Sequence, residues 1–175
     1  MTFDMERLYK EFYENSAKDL APQLLGKLLC RRMTKGDVIK VRITESEIYY
    51  GESDTACHAH KGKTERTKIM YESGGAAYIY LCYGIHNLLN IVTGKEGFPE
   101  AVLIRGVEGF NGPGKLTKYL SIDRSLNGEN MINSEKLWLE SDGFIPKYKA
   151  SKRIGIDYAS EEDKNRMWRF FWNTE

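Results

Sequence analysis

A strand-like segment that carries carboxylates constrains the fold of this chain more than any other feature. Apolar and polar residues alternate over residues 39–43, which is the two-residue period of a half-buried β-strand. If this period continues, Glu45, Glu47 and Tyr49 lie on the apolar face of the strand. An ionised carboxylate in that position costs several kcal/mol unless it is paired, hydrogen-bonded or facing a cleft. Two interpretations stay open: the carboxylates belong to a site, or a β-bulge or an early end of the strand returns both of them to water.

The order of the predicted elements favours an α+β fold. A turn signal at residues 35–37 separates strands at 27–33 and 38–49 and predicts a hairpin. Further strands are predicted at 76–82, 88–93, 101–107, 136–139 and 153–156, and helices near the N-terminus, after an Asp19 cap, at 64–72 and after residue 111. Strands outnumber helices, and hairpin-sized loops join them. We therefore predict one compact domain over residues 1–175, built on a curved, mostly antiparallel β-sheet with flanking helices.

The charge composition does not decide whether a nucleic acid is the partner. The chain has 26 Lys and Arg residues against 25 Asp and Glu residues, a formal net charge of +1. One segment is nevertheless basic, since only the acidic Glu65 interrupts Lys61, Lys63, Arg66 and Lys68. Such a segment either steers a polyanion towards the protein or forms a solvated helix face, and on its own it favours the solvated face.

The cysteines and the hydropathy pattern indicate a compartment. Cys30, Cys57 and Cys82 are odd in number, far apart and without C-x-x-C spacing, which is typical of free thiols in a reducing compartment. The N-terminal sequence MTFDMERLYKEF lacks the apolar segment of a secretory signal. No apolar run approaches the roughly 20 residues of a membrane helix. We therefore expect a soluble intracellular protein with no membrane association.

A second cluster of aromatic residues follows the carboxylate segment. Tyr78 and Tyr80 share one face of a predicted strand, where they either pack in the core or form a platform for a ligand. Tyr83 precedes Gly84 at the predicted turn, a position that is normally exposed. An aromatic residue at a hairpin tip is suited to act as a wedge between stacked bases.

The remaining motifs argue against several common functions but do not by themselves identify one. His58 and His60 lie near Cys57 and Asp54, but their spacing matches no zinc pattern, and a histidine that supplies a ring face or a hydrogen bond fits the sequence better. Residues 112–115 open a predicted helix that could hold a phosphate, yet they lack the spacing of a nucleotide loop. The common acyl-transfer, dinucleotide and metalloprotease motifs are missing. Carboxylates among aromatic residues, an exposed aromatic tip and a basic segment together point to an enzyme that acts on an unstacked base.

Four longer motifs resemble one enzyme family. The segments TESEIYYGESDTACHAHKG, GAAYIYLCYGIHNLLNIVTG, AVLIRGVE and NGPGKL follow one another in this order. Over residues 20–169 the chain thereby resembles the alkyladenine (3-methyladenine) DNA glycosylase family. The resemblance implies a single domain around a curved antiparallel sheet. It also implies hydrolysis of the N-glycosidic bond of a damaged purine, which leaves an abasic site.

The resemblance assigns a role to each candidate site residue. Glu47 matches the general base that activates water, and Arg105 matches an arginine near this base and the backbone of the target nucleotide. Tyr49 and His58 match residues on one side of the flipped-base pocket, and Tyr80 matches the aromatic residue on the other side.

Two further positions match family residues, one that contacts the DNA duplex and one that selects the base. Tyr83 matches the tyrosine that enters the minor groove and fills the gap left by the flipped base. Asn90 matches the side chain that crowds out the 2-amino group of guanine.

The resemblance also implies the partners. We expect a monofunctional, monomeric enzyme without metal or other cofactor, acting on double-stranded DNA that contains damaged purines of the 3-methyladenine, 7-methylguanine, hypoxanthine and ethenoadenine class. The localisation would be cytoplasmic, at the nucleoid, in a bacterium and nuclear in a eukaryote. Two alternatives stay open from the residues alone: a non-catalytic nucleic-acid-binding module, and a metal-dependent hydrolase that uses Glu47, His58 and His60.

Overall fold

An antiparallel β-sheet forms the centre of the structure, a computed structural model that describes residues 5–172. The strands, in chain order, are β1 (Glu6–Arg7), β2 (Leu28–Arg32), β3 (Val38–Tyr50), β4 (Ala77–Cys82), β5 (His86–Val92), β6 (Glu100–Val107), β7 (Phe110–Asn111), β8 (Leu137–Ser141), β9 (Lys149–Ser151) and β10 (Arg169–Phe171). The helices are α1 (Lys10–Tyr13), α2 (Ala17–Leu24), α3 (Pro113–Tyr119) and α4 (Glu161–Lys164), and short 3₁₀ turns cover His58–Lys61, Lys68–Tyr71 and Arg124–Leu126.

The strand order confirms the predicted fold class. Neighbouring strands follow the order β1-β8-β2-β3-β6-β5-β4, while β10 pairs with β3 and β9, and β7 pairs with β6. All of these pairings are antiparallel. The predicted hairpin is formed by β2 and β3, with Leu28 opposite Arg42. Helices pack around this mostly antiparallel sheet, so the α+β prediction is confirmed.

A β-bulge in β3 decides which side chains reach the site. The pairing of β3 with β6 shifts register on both sides of Glu45. Ile43 and Ile48 therefore both lie in the main core, although they are an odd number of residues apart. The prediction that Glu47 shares the face of Ile43 is wrong, because the bulge moves Glu47 to the opposite face. The alternative that a bulge returns both carboxylates to water is also wrong for Glu47, whose exposed fraction is 0%.

The two faces of the sheet carry different packing. On one face α2 buries Leu20 and Leu24 in the main hydrophobic core, together with Ile48 of β3. On the other face lies a smaller cluster that includes Met70 and Tyr78. This second cluster is smaller than the main core, and partly buried tyrosines pack against it, so it leaves room for a cleft on its side of the sheet.

Three local predictions are wrong. Ser16, not Asp19, caps α2, since its side chain accepts a hydrogen bond from the Lys18 N–H. The helix predicted at 64–72 is reduced to turns, because Thr67 Oγ1 accepts from the Thr64 N–H at 2.9 Å and donates to a backbone carbonyl instead. The strand predicted at 153–156 is irregular, and the nearest strand is β9. None of the helices in residues 5–172 is long and apolar enough to cross a membrane.

Candidate active site

One transverse row of the sheet carries the centre of the site. Glu47 of β3 lies opposite Leu103 of β6 in the strand register. Leu103 in turn lies opposite Asn90 of β5, and Asn90 lies opposite Tyr78 of β4. Paired residues on neighbouring strands point to the same face of a sheet. Four consecutive strands therefore place these side chains side by side.

A cleft of about 500 Å³ opens above this row. That volume is typical of sites for small molecules. Six of the seven predicted site residues line the cleft: Tyr49, His58, Tyr80, Tyr83, Asn90 and Arg105. The seventh, Glu47, is fully buried and contacts two of them, Tyr49 and Arg105. The structure thus brings together residues that come from different strands and loops of the chain.

Glu47 is held by three groups that favour its ionised form. Its Oε1 accepts a hydrogen bond from the Tyr49 hydroxyl at 3.1 Å and lies 3.6 Å from a guanidinium nitrogen of Arg105. Its Oε2 accepts from the Ile154 N–H at 2.7 Å. Burial is nevertheless the largest influence and raises the pKa of Glu47 above its ordinary value, against the lowering by these three groups. A raised pKa makes this carboxylate a better proton acceptor near neutral pH.

Arg105 is fixed between two carboxylates. Its Nε donates to Glu45 Oε1 at 3.3 Å, while its terminal nitrogen faces Glu47. Arg169 of β10 donates to the same Glu45 oxygen at 3.0 Å. The residue at the bulge, Glu45, therefore orients Arg105 towards the cleft. Sequence reasoning missed Arg169, because no local pattern links it to a strand more than 100 residues earlier.

Aromatic rings form one wall of the cleft. His58 meets Tyr80 edge to face with ring centroids 4.4 Å apart, and Tyr78 lies 5.5 Å from Tyr80. The Nδ1 atom of His58 is 2.9 Å from the Tyr78 hydroxyl. Burial, with a smaller contribution from Arg66, lowers the pKa of His58 to about 4. His58 is therefore neutral at physiological pH and presents an uncharged ring.

The two histidines do not converge on a metal site. His58 faces Tyr78, whereas the Nδ1 atom of His60 is 2.6 Å from the Glu52 carbonyl oxygen. Within residues 5–172 no group of three or more His, Cys, Asp or Glu side chains is arranged to hold a metal ion. The alternative that combines both histidines with Glu47 therefore has no geometric support in this part of the chain.

The hairpin between β4 and β5 projects an aromatic side chain from the cleft rim. Tyr83 is 88% exposed and Ile85 is 73% exposed. Tyr83 has a φ of 52° and Gly84 a φ of 67°, so the turn holds two successive residues in the left-handed region. This conformation is unfavourable for tyrosine, and it directs the ring away from the core. The hairpin tip is therefore an exposed, largely apolar projection at the rim of the cleft.

Asn90 combines burial with access to the cleft. Its exposed fraction is 3%, and its Nδ2 donates to the Tyr78 carbonyl oxygen at 3.2 Å. This bond fixes the amide and leaves the rest of the group at the cleft wall. A fixed amide can discriminate between ligands that place a donor or a hydrogen at this point.

The opposite lip of the cleft comes from a segment that the sequence did not predict to be part of the site. Ile154, Gly155 and Tyr158 line the cleft. Tyr158 is 68% exposed, and its hydroxyl donates to the Ala56 carbonyl oxygen at 2.8 Å. The segment enters the site through long-range contacts alone, so a local motif could not have identified it.

The two segments that the sequence analysis weighed as contacts for a polyanion or a phosphate border the cleft. Arg66 belongs to the exposed basic segment, and its guanidinium lies 5.4 Å above the ring of Tyr80. Residues 112–115 line the cleft at the start of α3. A Cβ at Gly114 would lie 2.8 Å from a ring nitrogen of His86, so only glycine allows this turn to approach the hairpin.

Comparisons with known proteins identify the family of the chain. The family model for methylpurine-DNA glycosylase matches residues 11–111 and 109–175. A protein of Psychrobacter cryohalolentis is 44% identical over 87% of this chain and 85% of its own length. Relatives from Borreliella afzelii and Methanocella arvoryzae are each 43% identical, over 91% and 95% of this chain and 92% of their own lengths. All three carry the name "Putative 3-methyladenine DNA glycosylase". This chain belongs to the methylpurine-DNA glycosylase family and is a DNA N-glycosylase.

Proposed function

We propose that this glycosylase removes damaged purines of the 3-methyladenine, 7-methylguanine, hypoxanthine and ethenoadenine class from double-stranded DNA. The observation that carries the proposal is a fully buried carboxylate, Glu47, which an arginine and an aromatic cleft surround. A base can reach that cleft only after it has left the duplex stack. The product would be an abasic site, formed by a monomeric enzyme that cleaves no phosphodiester bond.

The aromatic wall supports binding of such bases. Alkylation at N3 or N7 gives the purine a positive charge, and a cation stacks favourably on electron-rich rings such as those of Tyr49 and Tyr80. His58 is neutral, so it adds no repulsive charge. Because His58 and Tyr80 are in edge-to-face contact, a base that stacks between these two rings requires them to separate.

Glu47 would act as the general base of the hydrolysis. It takes a proton from a water molecule, the water oxygen bonds to C1′, and the bond from C1′ to the purine nitrogen breaks with its electron pair on the base. The negative carboxylate also stabilises the positive charge that develops on the sugar. Each of its oxygens can accept a second hydrogen bond, so Ile154 and Tyr49 can keep their bonds when a water molecule is bound. Because Glu47 is 0% exposed, the cleft has to widen locally to admit this water.

The charge of the base and three further residues would determine which lesions are removed. A cationic base leaves as a neutral molecule, whereas hypoxanthine needs a proton during departure. Arg105 would contact the backbone of the target nucleotide from its position between Glu45 and Glu47. Tyr83 would occupy the gap in the duplex. Asn90 would penalise a 2-amino group, so that unmodified guanine is rejected while 7-methylguanine, whose positive charge makes it a better leaving group, is still removed.

An excision assay tests the proposal. A duplex with one hypoxanthine or 3-methyladenine is incubated with the protein, and abasic sites are then cleaved with alkali. Strand breaks that persist in the presence of a chelator and disappear with Glu47→Gln support the proposal. Binding without breaks would favour a non-catalytic module, and chelator-sensitive breaks would favour a metal-dependent hydrolase.

A further inference from the structure

One ion pair beside the site is withdrawn completely from solvent. The side chains of Arg153 and Asp54 are 0% and 1% exposed, and two hydrogen bonds of 2.7 and 3.0 Å join them. Arg153 also donates to the Ile48 carbonyl oxygen at 2.9 Å. Asp54 in turn accepts from the backbone N–H groups of Tyr50 and Ala56. The pair therefore connects the loop after β3 to the segment that forms the far lip of the cleft.

Stability alone does not explain such a pair. Removing two charges from water is costly, and well-packed apolar residues of similar volume often stabilise a protein as well or better. Among residues 5–172, moreover, the buried Nε atom of Arg153 has no hydrogen-bond partner. What the pair supplies is a fixed geometry, because its bidentate contact allows only one orientation of the guanidinium.

The residue that follows Arg153 touches the general base. The Ile154 N–H donates to Glu47 Oε2 at 2.7 Å. The Ile154 side chain is 47% exposed, so hydrophobic burial does not hold this backbone in place. The residue also lies outside the strands, since β9 ends at Ser151. The side-chain contacts of Arg153 are therefore the anchor next to this N–H group in the chain, and the Nε of Arg169, which donates to the Lys152 carbonyl oxygen at 2.9 Å, supports the same segment.

Arg153 reaches Glu47 by a second route. Its guanidinium lies 5.2 Å above the ring of Tyr49, whose hydroxyl donates to Glu47 Oε1. Both hydrogen bonds to Glu47 thus come from groups that Arg153 contacts or directly precedes in the chain.

We propose that Arg153, paired with Asp54, is a positioning residue for the glycosylase reaction, which holds the Ile154 N–H against Glu47 and keeps this carboxylate oriented and ionised. The proposal rests on the proposed function of Glu47 as the general base. Arg153 does not touch the substrate in this assignment.

The electrostatic surroundings of Glu47 define the expected pH effect. Other ionisable groups face it from the neighbouring elements: Arg105 of β6, Glu45 and Tyr49 of β3, Tyr80 of β4, and Arg153 and Tyr158 of the far lip. The Ile154 N–H lowers the pKa of Glu47 against the effect of burial. If the N–H moves away, the pKa of Glu47 rises further. The acid limb of the excision rate should then move to higher pH, because the base becomes protonated sooner.

The test compares three variants on one hypoxanthine-containing duplex. Arg153→Met removes both the positive charge and the bidentate contact with Asp54. Arg153→Lys keeps the charge but cannot form the bidentate contact. Arg42→Met is the matched control: Arg42 also forms a bidentate pair, with Asp142 at 3.0 and 2.8 Å, and donates to a backbone carbonyl, but it lies outside the cleft lining. Folding is checked by circular dichroism and thermal melting. Single-turnover excision and lesion-DNA affinity are measured as a function of pH.

Arg153→Met should reduce the single-turnover rate about 30-fold and shift the acid limb to higher pH, with affinity for lesion DNA changed less than about threefold. Arg153→Lys should recover part of the rate. Arg42→Met should lower the melting temperature and leave the rate and the pH profile of the folded protein unchanged.

Several results would overturn the proposal. A folded Arg153→Met with wild-type rate and pH profile would do so, as would equal losses in Arg153→Met and Arg42→Met. If Arg153→Met does not fold, an unchanged rate and acid limb in Arg153→Lys would be decisive against it. Glu47→Gln in the same assay separates the two proposals. Normal excision by Glu47→Gln would refute the proposed function itself, whereas an inactive Glu47→Gln beside a normal Arg153→Met would refute only the positioning role.

Discussion

Glu47 and Glu100 are two buried carboxylates on one β-sheet, and they differ in what surrounds them. Their exposed fractions are 0% and 4%. Burial is the largest influence on both and raises the pKa of each. Glu100 Oε1 accepts from the Ala17 N–H at 2.6 Å and from Thr93 Oγ1 at 2.9 Å. Glu47 instead faces a guanidinium and a tyrosine that both line the cleft.

The comparison separates a structural carboxylate from a candidate catalytic one. Glu100 accepts from the first residue of α2, where the helix dipole favours a negative charge, and it thereby ties this helix to the sheet. Burial and a raised pKa are common to both sites, so neither property identifies a general base. The distinguishing feature is contact with groups that a substrate can reach.

The largest expected effect is that of Glu47→Gln on excision. The amide keeps the shape but cannot accept the proton from water, so the single-turnover rate should fall at least ~100-fold while lesion DNA still binds. The folded state holds the ionised form of Glu47 at a raised pKa, which costs stability above the unfolded-state pKa and not below it. Removal of the charge should therefore not lower the melting temperature at neutral pH, and it should raise it to the extent that the lost contact with Arg105 does not offset the relieved cost. Near-wild-type excision by Glu47→Gln would show that Glu47 is not the general base. Glu47 would then be a structural carboxylate like Glu100.

Glu100→Ala should lower the stability of the protein and leave its excision rate nearly unchanged. The variant leaves the Ala17 N–H and the Thr93 hydroxyl buried without their acceptor. The free energy of unfolding should fall by about 2–3 kcal/mol, while excision per folded molecule stays within about twofold of wild type. Chemical denaturation and an active-site titration of the same preparation measure the two quantities. A selective loss of excision at unchanged stability would show that the Glu100 site is coupled to the cleft.

The sequence predicts the two carboxylates unequally well. Glu47 was identifiable because it interrupts an alternating strand and precedes several aromatic residues, whereas Glu100 begins β6 without any local signal. The α+β class and the β2–β3 hairpin follow from periodicity and turn residues, which are local properties. The face on which Glu47 lies does not follow from them, since one bulged residue reverses it.

Long-range partners account for what the sequence could not supply. Asp54 and Arg153 are 99 residues apart in the chain, and Arg169 and Glu45 are 124 residues apart. No periodicity encodes such pairs, and the segment that contains Arg153 even reads as a strand. The family resemblance supplied the seven site residues one by one, but not the contacts that hold them.

Tyr83 differs from both buried carboxylates, because its side chain is exposed and makes few contacts with the rest of the protein. Because its ring is 88% exposed, Tyr83→Ser should leave the melting temperature unchanged, unlike Glu100→Ala. Stacking on neighbouring bases is worth about 1–3 kcal/mol per aromatic residue, so excision from a matched duplex should fall roughly tenfold. The loss should be smaller opposite a mismatched partner, where less energy is needed to flip the base. Excision rates opposite matched and mismatched partners measure this difference, and equal losses would show that Tyr83 is not a wedge.

The smallest effect is expected for Asn90, which is as deeply buried as Glu100 but lies at the cleft wall. If access to the cleft decides the role of a buried polar group, Asn90→Ser should change selectivity more than stability. The shorter side chain removes the steric barrier to a 2-amino group, so excision of 7-methylguanine relative to hypoxanthine should rise by roughly three- to tenfold. Glu100→Ala is the control, because it should leave this ratio unchanged. The hydrogen bond to the Tyr78 carbonyl oxygen is also lost, so the melting temperature of Asn90→Ser must be measured alongside the rates. A drop in stability at an unchanged ratio would place Asn90 with Glu100 among the structural polar groups, and base selection would then occur at flipping.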